Sequence, residues 1–258
     1  MRIGFHHRPI LTPLILGLCA GGFAIGFYEG LSLWWLGAYV THLFLFSFGI
    51  AFGLHRMVAH HAYNPPWFIQ RLSVLVGVIA QGGSPMSWQT THIMHHARSD
   101  VEGDPHSPAR LGWRVIFGAA DPVAKEFIIE RALKERGLRD PYYLILHKYY
   151  YLVTAAYALA MFLLFGTNGL VYLAAIPIGL SILSLGLLNY FAHAGNEARN
   201  VWWLFPLTFG ENWHGNHHLQ PGAQYSGLTI FEIDLIGLVW RGSADLFAKQ
   251  DIPEIRSP

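Results

Sequence analysis

Residues 32–60 run SLWWLGAYVTHLFLFSFGIAFGLHRMVAH, and this stretch decides the fold because it joins a membrane-length apolar run to a pair of histidines. Arg56 is the only Lys, Arg, Asp or Glu in it, and about 20 apolar residues in a helix suffice to cross a bilayer. His55 and His60 stand at its end. The pattern predicts a transmembrane helix that ends in metal-ligating side chains, since neutral imidazole is the commonest metal ligand.

The composition of the 258-residue chain also indicates a membrane protein. Hydrophobic residues make up 53% and charged residues 13%, whereas soluble domains carry roughly 25% charged residues. The net charge of +1 and the lack of a basic run give no sign of a nucleic-acid partner. The single Cys19 excludes a disulfide framework, a thiolate zinc site and an iron–sulfur cluster.

Four transmembrane helices are expected within one domain that covers residues 1–258. Residues 10–54 carry one charge, Glu29, and the apolar block 149–192 is broken by Gly and Asn at 166–169. The first run is too long for the apolar part of a signal peptide, so it is expected to be a retained span. The predicted spans are about 10–28, 32–54, 149–166 and 169–191.

Residues 68–88 form an apolar segment too short to be a span. Interrupted by Arg71 and by a Gly-Gly-Ser-Pro turn, the segment keeps about 10 to 13 clean apolar residues, which favours a re-entrant or interfacial helix. A full crossing would put the histidines before and after it on opposite faces of the membrane. The segment is therefore expected to turn back.

The distribution of basic residues predicts the orientation. The turns expected on the other side, near 29–31 and 166–169, contain no Lys or Arg, while basic residues lie in the N-terminal stub, in 87–148 and after 193. Because cytoplasmic loops carry the excess of Lys and Arg, both termini, the histidines and a helical cap are predicted to be cytoplasmic. The predicted cap comprises about 87–148 and 193–258.

Two further histidine clusters repeat the chemistry of the first. They are His92-x2-His95-His96 and His214-x2-His217-His218, and residues three or four apart share one face of a helix. Together with His55 and His60 they supply eight imidazoles, which are too many for one ion. The hypothesis is a site that holds two metal ions.

These motifs resemble the integral-membrane fatty-acid desaturases, in particular their Δ9 acyl-CoA and acyl-lipid branch. The order, spacing and placement against the spans match over residues of about 30 to 220. The matching stretches are GLHRMVAH (53–60), WQTTHIMHH (88–96) with Ser99-Asp100 and Asp104-Pro105-His106, NYFAH (189–193) and GENWHGNHH (210–218).

The resemblance implies four spans under a cytosolic cap with a di-iron centre between them, and it adds His193 as a ninth ligand. One iron is expected on His55, His60, His92, His96 and His217. The other is expected on His95, His193, His214, His218 and a water held by Asn189.

Carboxylates near the clusters suit the orientation of imidazoles, although a salt bridge or a helix cap would explain each equally well. The candidates are Asp100, Asp104 and Glu211, and His61 is a further candidate for such a supporting role. His42, inside the second span, is expected to make a structural hydrogen bond, and His106 is not expected to be a ligand.

The resemblance implies O2-dependent insertion of a cis double bond, at Δ9, into a saturated acyl chain. Iron suits this reaction because zinc has no redox chemistry. The substrate's carrier is left open among CoA, acyl carrier protein and membrane lipid, because Ile93 and Gly215 depart from the family pattern. Electrons are expected from a separate donor of the ferredoxin or cytochrome b5 type.

Two alternatives remain open at the level of sequence. The same ligands would serve a di-iron lipid hydroxylase, ketolase or acetylenase. A metal-binding or metal-transporting membrane protein without enzymatic activity is the more remote reading, because a transporter places its ligands near the midplane of the bilayer.

Overall fold

The computed structural model describes residues 11–121, 123, 125–135, 139–195 and 197–240, so the N-terminal stub and the end of the predicted cap lie outside it. Every regular element in the described ranges is helical, which confirms the all-helical class. The longer helices are α1 (Leu11–Glu29), α2 (Leu33–Ala59), α3 (Trp67–Ile79), α4 (Pro85–Arg98), α5 (Lys125–Lys134), α6 (Pro141–Lys148), α7 (Tyr150–Asn168), α8 (Ile176–Ala192) and α9 (His214–Leu219). Shorter helical turns are Pro108–Leu111, Gly112–Phe117, Trp202–Leu204 and Phe205–Thr208, and the π-helical Gly169–Ala175 joins α7 to α8.

Within the described residues, three helical stretches are long and apolar enough to cross a membrane: Leu11–Glu29, Leu33–Ala59 and Tyr150–Ala192. The third has 43 residues, and Gly166 within it has φ 63° and ψ −150°, outside the helical region. Such a positive φ is readily adopted only by glycine.

The chain doubles back at Gly166. The Tyr157 hydroxyl donates a hydrogen bond of 2.6 Å to the Leu173 carbonyl, 16 residues later. A straight helix would hold residues that far apart in sequence about 24 Å from each other. Therefore α7 and α8 lie side by side rather than end to end.

Helix α3 packs antiparallel against α2 through glycines. A methyl group added at Gly77 would lie 2.6 Å from the Gly49 carbonyl oxygen, and one added at Gly53 would lie 2.9 Å from the Ser73 backbone. Small residues at such positions let two helix backbones approach closely inside a membrane. The contacts fix the depth that α3 reaches along α2.

The chain turns back after α3, as the sequence predicts for residues 68–88. Helix α3 has 13 residues and ends beside Gly49. The turn that follows places Gly82 against Ile50 and Leu54 of α2. Helix α4 then returns, which brings its histidines to the end of α2 that carries His55 and His60.

We expect Gly77→Ala to destabilise the protein, because its methyl group would press on the backbone of α2. The cost is about 1–3 kcal/mol, typical of overpacking. The matched control is Gly21→Ala in α1, where an added methyl meets nothing within 4 Å. Thermal unfolding in detergent should show a lower midpoint for Gly77→Ala alone, and equal midpoints would contradict the close approach of α2 and α3.

Candidate metal centre

The end of α2 presents two histidines from a π-helical stretch, Leu45–Ala59. The His60 amide donates to the His55 carbonyl over 3.2 Å, which is the i to i+5 bond of a π-helix. In this winding, residues five apart stack on one face. The side chains of His55 and His60, whose spacing is a loose match to an α-helix, are thereby brought to one side of α2.

The other histidines come from α4, α8 and α9. Helix α4 begins at Pro85 after Ser84, whose side chain accepts a hydrogen bond from the Ser87 amide. Such an N-cap and Pro pair fixes where a helix starts, and so fixes its face. His193 follows the last residue of α8, and His214 opens α9.

The nine histidines fall into two groups. Within each group, every histidine offers one ring nitrogen, and these nitrogens lie within 4.8 Å of one another. In the first, the Nε2 atoms of His60 and His92 are 2.7 Å apart, and those of His55 and His217 are 3.0 Å apart. The groups adjoin, since the rings of His96 and His218 stack at 4.3 Å. The first group is His55, His60, His92, His96 and His217; the second is His95, His193, His214 and His218.

The second group shows why a cation is needed. His95 Nδ1 lies 3.0 Å from Asp104 and His193 Nδ1 lies 2.9 Å from Asp100, so each Nδ1 hydrogen is donated to a carboxylate. Neutral imidazole carries one N–H, so each Nε2 is then a lone pair. These two Nε2 atoms are 3.1 Å apart, an arrangement that is repulsive unless a cation lies between them.

The nitrogen separations also fit a transition-metal ion. With a metal–nitrogen distance of 2.0–2.1 Å, neighbouring ligands of an octahedron are about 3.0 Å apart. The Nε2 pairs of the two groups are separated by 2.7 to 3.1 Å. Both sets of residues therefore fit the iron that the resemblance implies.

Glu211 supports the first group as the two aspartates support the second. Its carboxylate lies 2.5 Å from His55 Nδ1 and accepts a hydrogen bond of 2.9 Å from Arg56 Nε. Burial acts to raise the pKa of Glu211, but His55 and Arg56 outweigh it and lower that pKa to about 2. Glu211 is therefore ionised and holds a proton on the far side of the His55 ring.

Burial favours the neutral form of five of the site histidines. Together with neighbouring imidazoles, it lowers the pKa of His92, His95, His214 and His217 well below the ordinary value of about 6.5. The same causes lower the pKa of His96 to about 2. Neutral imidazole is the metal-binding form, so the folded chain favours it.

His61 is not where the sequence suggested. Its side chain is 61% exposed and its Nε2 lies 3.2 Å from Glu135, so it lies at the surface and supports no site histidine. The reason is a reversal of the chain, since His61 has φ 54°. His61 therefore lies outside the site, although it directly follows His60 in the sequence.

His106 and Asn189 lie beside the groups. The His106 ring contacts the His95 ring at 4.3 Å, and with Asp104 these two offer a further cluster of metal-ligating atoms. Asn189, one turn before His193 in α8, lines a cavity together with His214.

Arg56 and Asp234 were missed by sequence reasoning. Arg56 is 1% exposed, Asp234 is fully buried, and Arg56 NH1 lies 2.7 Å from Asp234 Oδ2. Removing one partner of a buried ion pair typically costs about 3–5 kcal/mol. The signal available in the sequence was a cation placed directly after a predicted ligand in an apolar span, since such residues are rarely without a partner.

Two cavities with mostly apolar linings lie beside the site. One cavity is lined by Phe46, Ile50, Trp88, Thr91, Leu185, Leu188 and Asn189 with His55, His92, His106, Glu211 and His214. A second cavity shares His106, Leu185 and Asn189 with it and continues between α1, α7 and α8. The two cavities therefore adjoin beside the histidines, at His106, Leu185 and Asn189.

We expect Asp104→Ala to weaken metal binding by about 10–100-fold, the usual effect of removing the partner of a ligating histidine. The matched control is Glu102→Ala, two residues earlier and exposed. Fe(II) affinity measured by competition with a chelator should fall only for Asp104→Ala. Equal affinities for the two variants would contradict the role of Asp104 in holding His95.

The metal-free protein should lose stability in mild acid. Below about pH 6.5 the unfolded chain protonates histidines that the folded chain keeps neutral, so the free energy of unfolding falls as the pH drops from 7 to 5. The loss is up to about 1.4 kcal/mol per pH unit for each such histidine. Thermal midpoints of chelator-treated protein test this, and a flat profile would contradict it. A variant with His92, His95 and His217 all changed to Asn should show a shallower dependence.

Comparison with known proteins identifies the family of this chain. Residues 30–230 match the family model for fatty acid desaturase. An sn-1 stearoyl-lipid 9-desaturase of Anabaena variabilis is 31% identical over 201 residues, 72% of this chain and 72% of that protein. An sn-2 palmitoyl-lipid 9-desaturase of Nostoc sp. (strain 36) is 29% identical over 90% of this chain and 80% of its own length. Delta-9 acyl-lipid desaturase 2 of Arabidopsis thaliana is 30% identical over 78% of this chain and 69% of its own length. The chain therefore belongs to the fatty acid desaturase family, whose members are membrane oxidoreductases.

Proposed function

We propose that this chain inserts a cis double bond into a saturated fatty acyl chain, with one iron held by each histidine group. The convergence of nine Nε2 atoms in two adjoining groups carries the proposal. Bound iron would supply the redox chemistry that O2 activation and C–H cleavage require, which side-chain acids and bases lack. The proposed ligands are the nine histidines, with Asn189 holding a water beside His214.

The remaining polar residues would hold protons in place. Asp104, Asp100 and Glu211 each keep a hydrogen on the Nδ1 of one histidine, so that the Nε2 of that ring presents its lone pair. Arg56 and Asp234 hold Glu211 in turn. The proposed ligands would therefore form a rigid set, because the residues hydrogen-bonded to the rings fix their orientation.

The two adjoining cavities would position the acyl chain. Leu185 and Leu188 of α8 face Phe46 and Ile50 of α2 across the cavity beside the histidines. A saturated chain has no polar group to recognise, so exclusion of water and shape must set which carbons reach the site. Leu185 and Asn189, which line both cavities, would help to hold the chain in register.

The preferred substrate is an acyl chain carried on a membrane lipid, and the preferred position is Δ9. The relatives named above are acyl-lipid desaturases, and all three act at position 9 by name. The second cavity is lined by residues of α1, α7 and α8, which belong to helical stretches long and apolar enough to stand in a bilayer. That position suits a chain that arrives from within the membrane.

The reaction needs electrons from outside. Removal of two hydrogens from adjacent methylenes, with reduction of O2 to two waters, consumes two further electrons and two protons. With one cysteine in 258 residues, the chain offers no ligand set for an iron–sulfur cluster. We therefore propose a separate donor of the ferredoxin or cytochrome b5 type.

The proposed topology has four spans. Helices α1 and α2 supply two, and the pair that doubles back at Gly166 supplies two more. The histidines then lie at one face, and the positive-inside rule assigns that face to the cytoplasm.

Expression in a host that lacks unsaturated fatty acids tests the function. The wild-type chain should yield monounsaturated acids with the double bond at position 9, found mainly in membrane lipids rather than in the acyl-CoA pool. His95→Ala should yield none, because it removes a ligand of the second group. The matched control is His61→Ala, an exposed histidine that contacts Glu135, and it should match the wild type.

Two results would contradict the proposal. A product that carries a new hydroxyl or keto oxygen would identify a hydroxylase or ketolase built on the same site. Full activity of His95→Ala would show that the second group is not the metal site.

A further inference from the structure

Residues 201–209 form a loop that extends along α2, away from the metal site, and then returns toward the site. Their sequence, VWWLFPLTF, holds no charged residue. The loop closes at its neck, where the Val201 amide donates to the Asn212 carbonyl over 2.8 Å. Its tip, at Pro206 and Leu207, lies away from the histidines.

The tip of this loop contacts the middle of α2. The Tyr39 hydroxyl donates to the Pro206 carbonyl over 2.8 Å, and His42 Nε2 lies 3.1 Å from the Leu207 carbonyl. The Phe209 ring contacts the His42 ring at 5.5 Å and the Phe46 ring at 6.3 Å. The loop thus lies alongside the span rather than above its end.

The depth of these contacts follows from the geometry of α2. Helix α2 begins at Leu33, and His42 lies nine residues further along, about 13 Å at a rise of 1.5 Å per residue. The hydrocarbon core of a bilayer is about 30 Å thick. If α2 spans the membrane from Leu33, the Leu207 carbonyl therefore lies near the middle of the bilayer.

Backbone that is not part of a long helix is tolerated at this depth only where its polar groups are satisfied. The loop meets this condition. Side chains of α2 bind the Pro206 and Leu207 carbonyls, and the Thr208 hydroxyl donates to the Leu204 carbonyl over 3.0 Å. Leu204 and Thr208 are fully buried.

The outward face of the loop is apolar. Trp202 is 74% exposed, Trp203 is 44% exposed, and Pro206 is exposed. This face continues the exposed apolar surface of α2, to which Val40 and Phe44 belong. Trp is enriched where a protein meets the membrane–water boundary.

We propose that residues 201–209 are a re-entrant segment, which enters the bilayer beside α2 and exposes Pro206 to lipid acyl chains. The segment was predicted to belong to the cytosolic cap, and the proposal places it in the membrane instead. It also gives His42 a role, since this intramembrane histidine binds the carbonyl of Leu207 with one ring nitrogen and lies 3.2 Å from Ser181 Oγ with the other. The inference depends on α2 crossing the membrane and not on the reaction catalysed.

Nitroxide accessibility measures this depth directly. In a Cys19→Ala background, Pro206→Cys is labelled and the protein is placed in phosphatidylcholine vesicles. Relaxation of the label by O2, which concentrates in the bilayer, is compared with relaxation by a water-soluble nickel chelate. Leu163→Cys, 73% exposed on α7, is the control for lipid, and the exposed Glu197→Cys is the control for water.

The label at 206 should be relaxed by O2 and protected from the chelate, as at Leu163. Relaxation by the chelate to the extent seen at Glu197 would overturn the proposal. Should Pro206→Cys fail to fold, Phe205→Cys next to it carries the same expectation and the same contrary outcome. Because neither control nor label touches a metal ligand, the result stands whether or not the desaturase function is upheld.

Discussion

The structure depends on one constraint: nitrogen lone pairs that face one another need a cation between them. In each histidine group the Nε2 atoms approach to about 3 Å, and carboxylates on the far side of three rings favour the tautomer whose one hydrogen is on Nδ1, which leaves a lone pair on Nε2. Protonation of an imidazole would relieve the repulsion between these lone pairs, but burial disfavours the protonated form. The folded chain thus presents two histidine groups that could each hold a metal ion before any binds.

Helix geometry satisfies this constraint from four directions. The π-helical winding of α2 stacks His55 over His60, the return of α4 after the short α3 brings in three histidines, and α8 ends at His193. Glycines at 49 and 77 set how far α3 descends, and the reversal at Gly166 returns α8 to the site. Each of these features is a feature of helix geometry or helix packing, and each fixes the position of a proposed metal ligand.

The sequence predicts most of this site because its information is local. Spacings of three and four residues place His92, His95 and His96, and His214, His217 and His218, on helix faces without knowledge of the rest of the chain. His193 stands alone, and only the resemblance identified it. Arg56 and Asp234 are 178 residues apart, and no local pattern links them. His61 was misplaced because a left-handed residue reverses the chain, and the nine residues of 201–209 are too short to be recognised as a membrane segment.

The central claim is that nine imidazoles bind two irons, five on one and four on the other, with a water held by Asn189 beside the second group. X-ray absorption at the iron edge of the loaded protein measures this most directly, because the outer atoms of each ligating imidazole add a distinct scattering pattern. The account predicts an average of four to five imidazoles per iron and no sulfur. One or two imidazoles per iron, with carboxylate oxygens in the remaining positions, would contradict it.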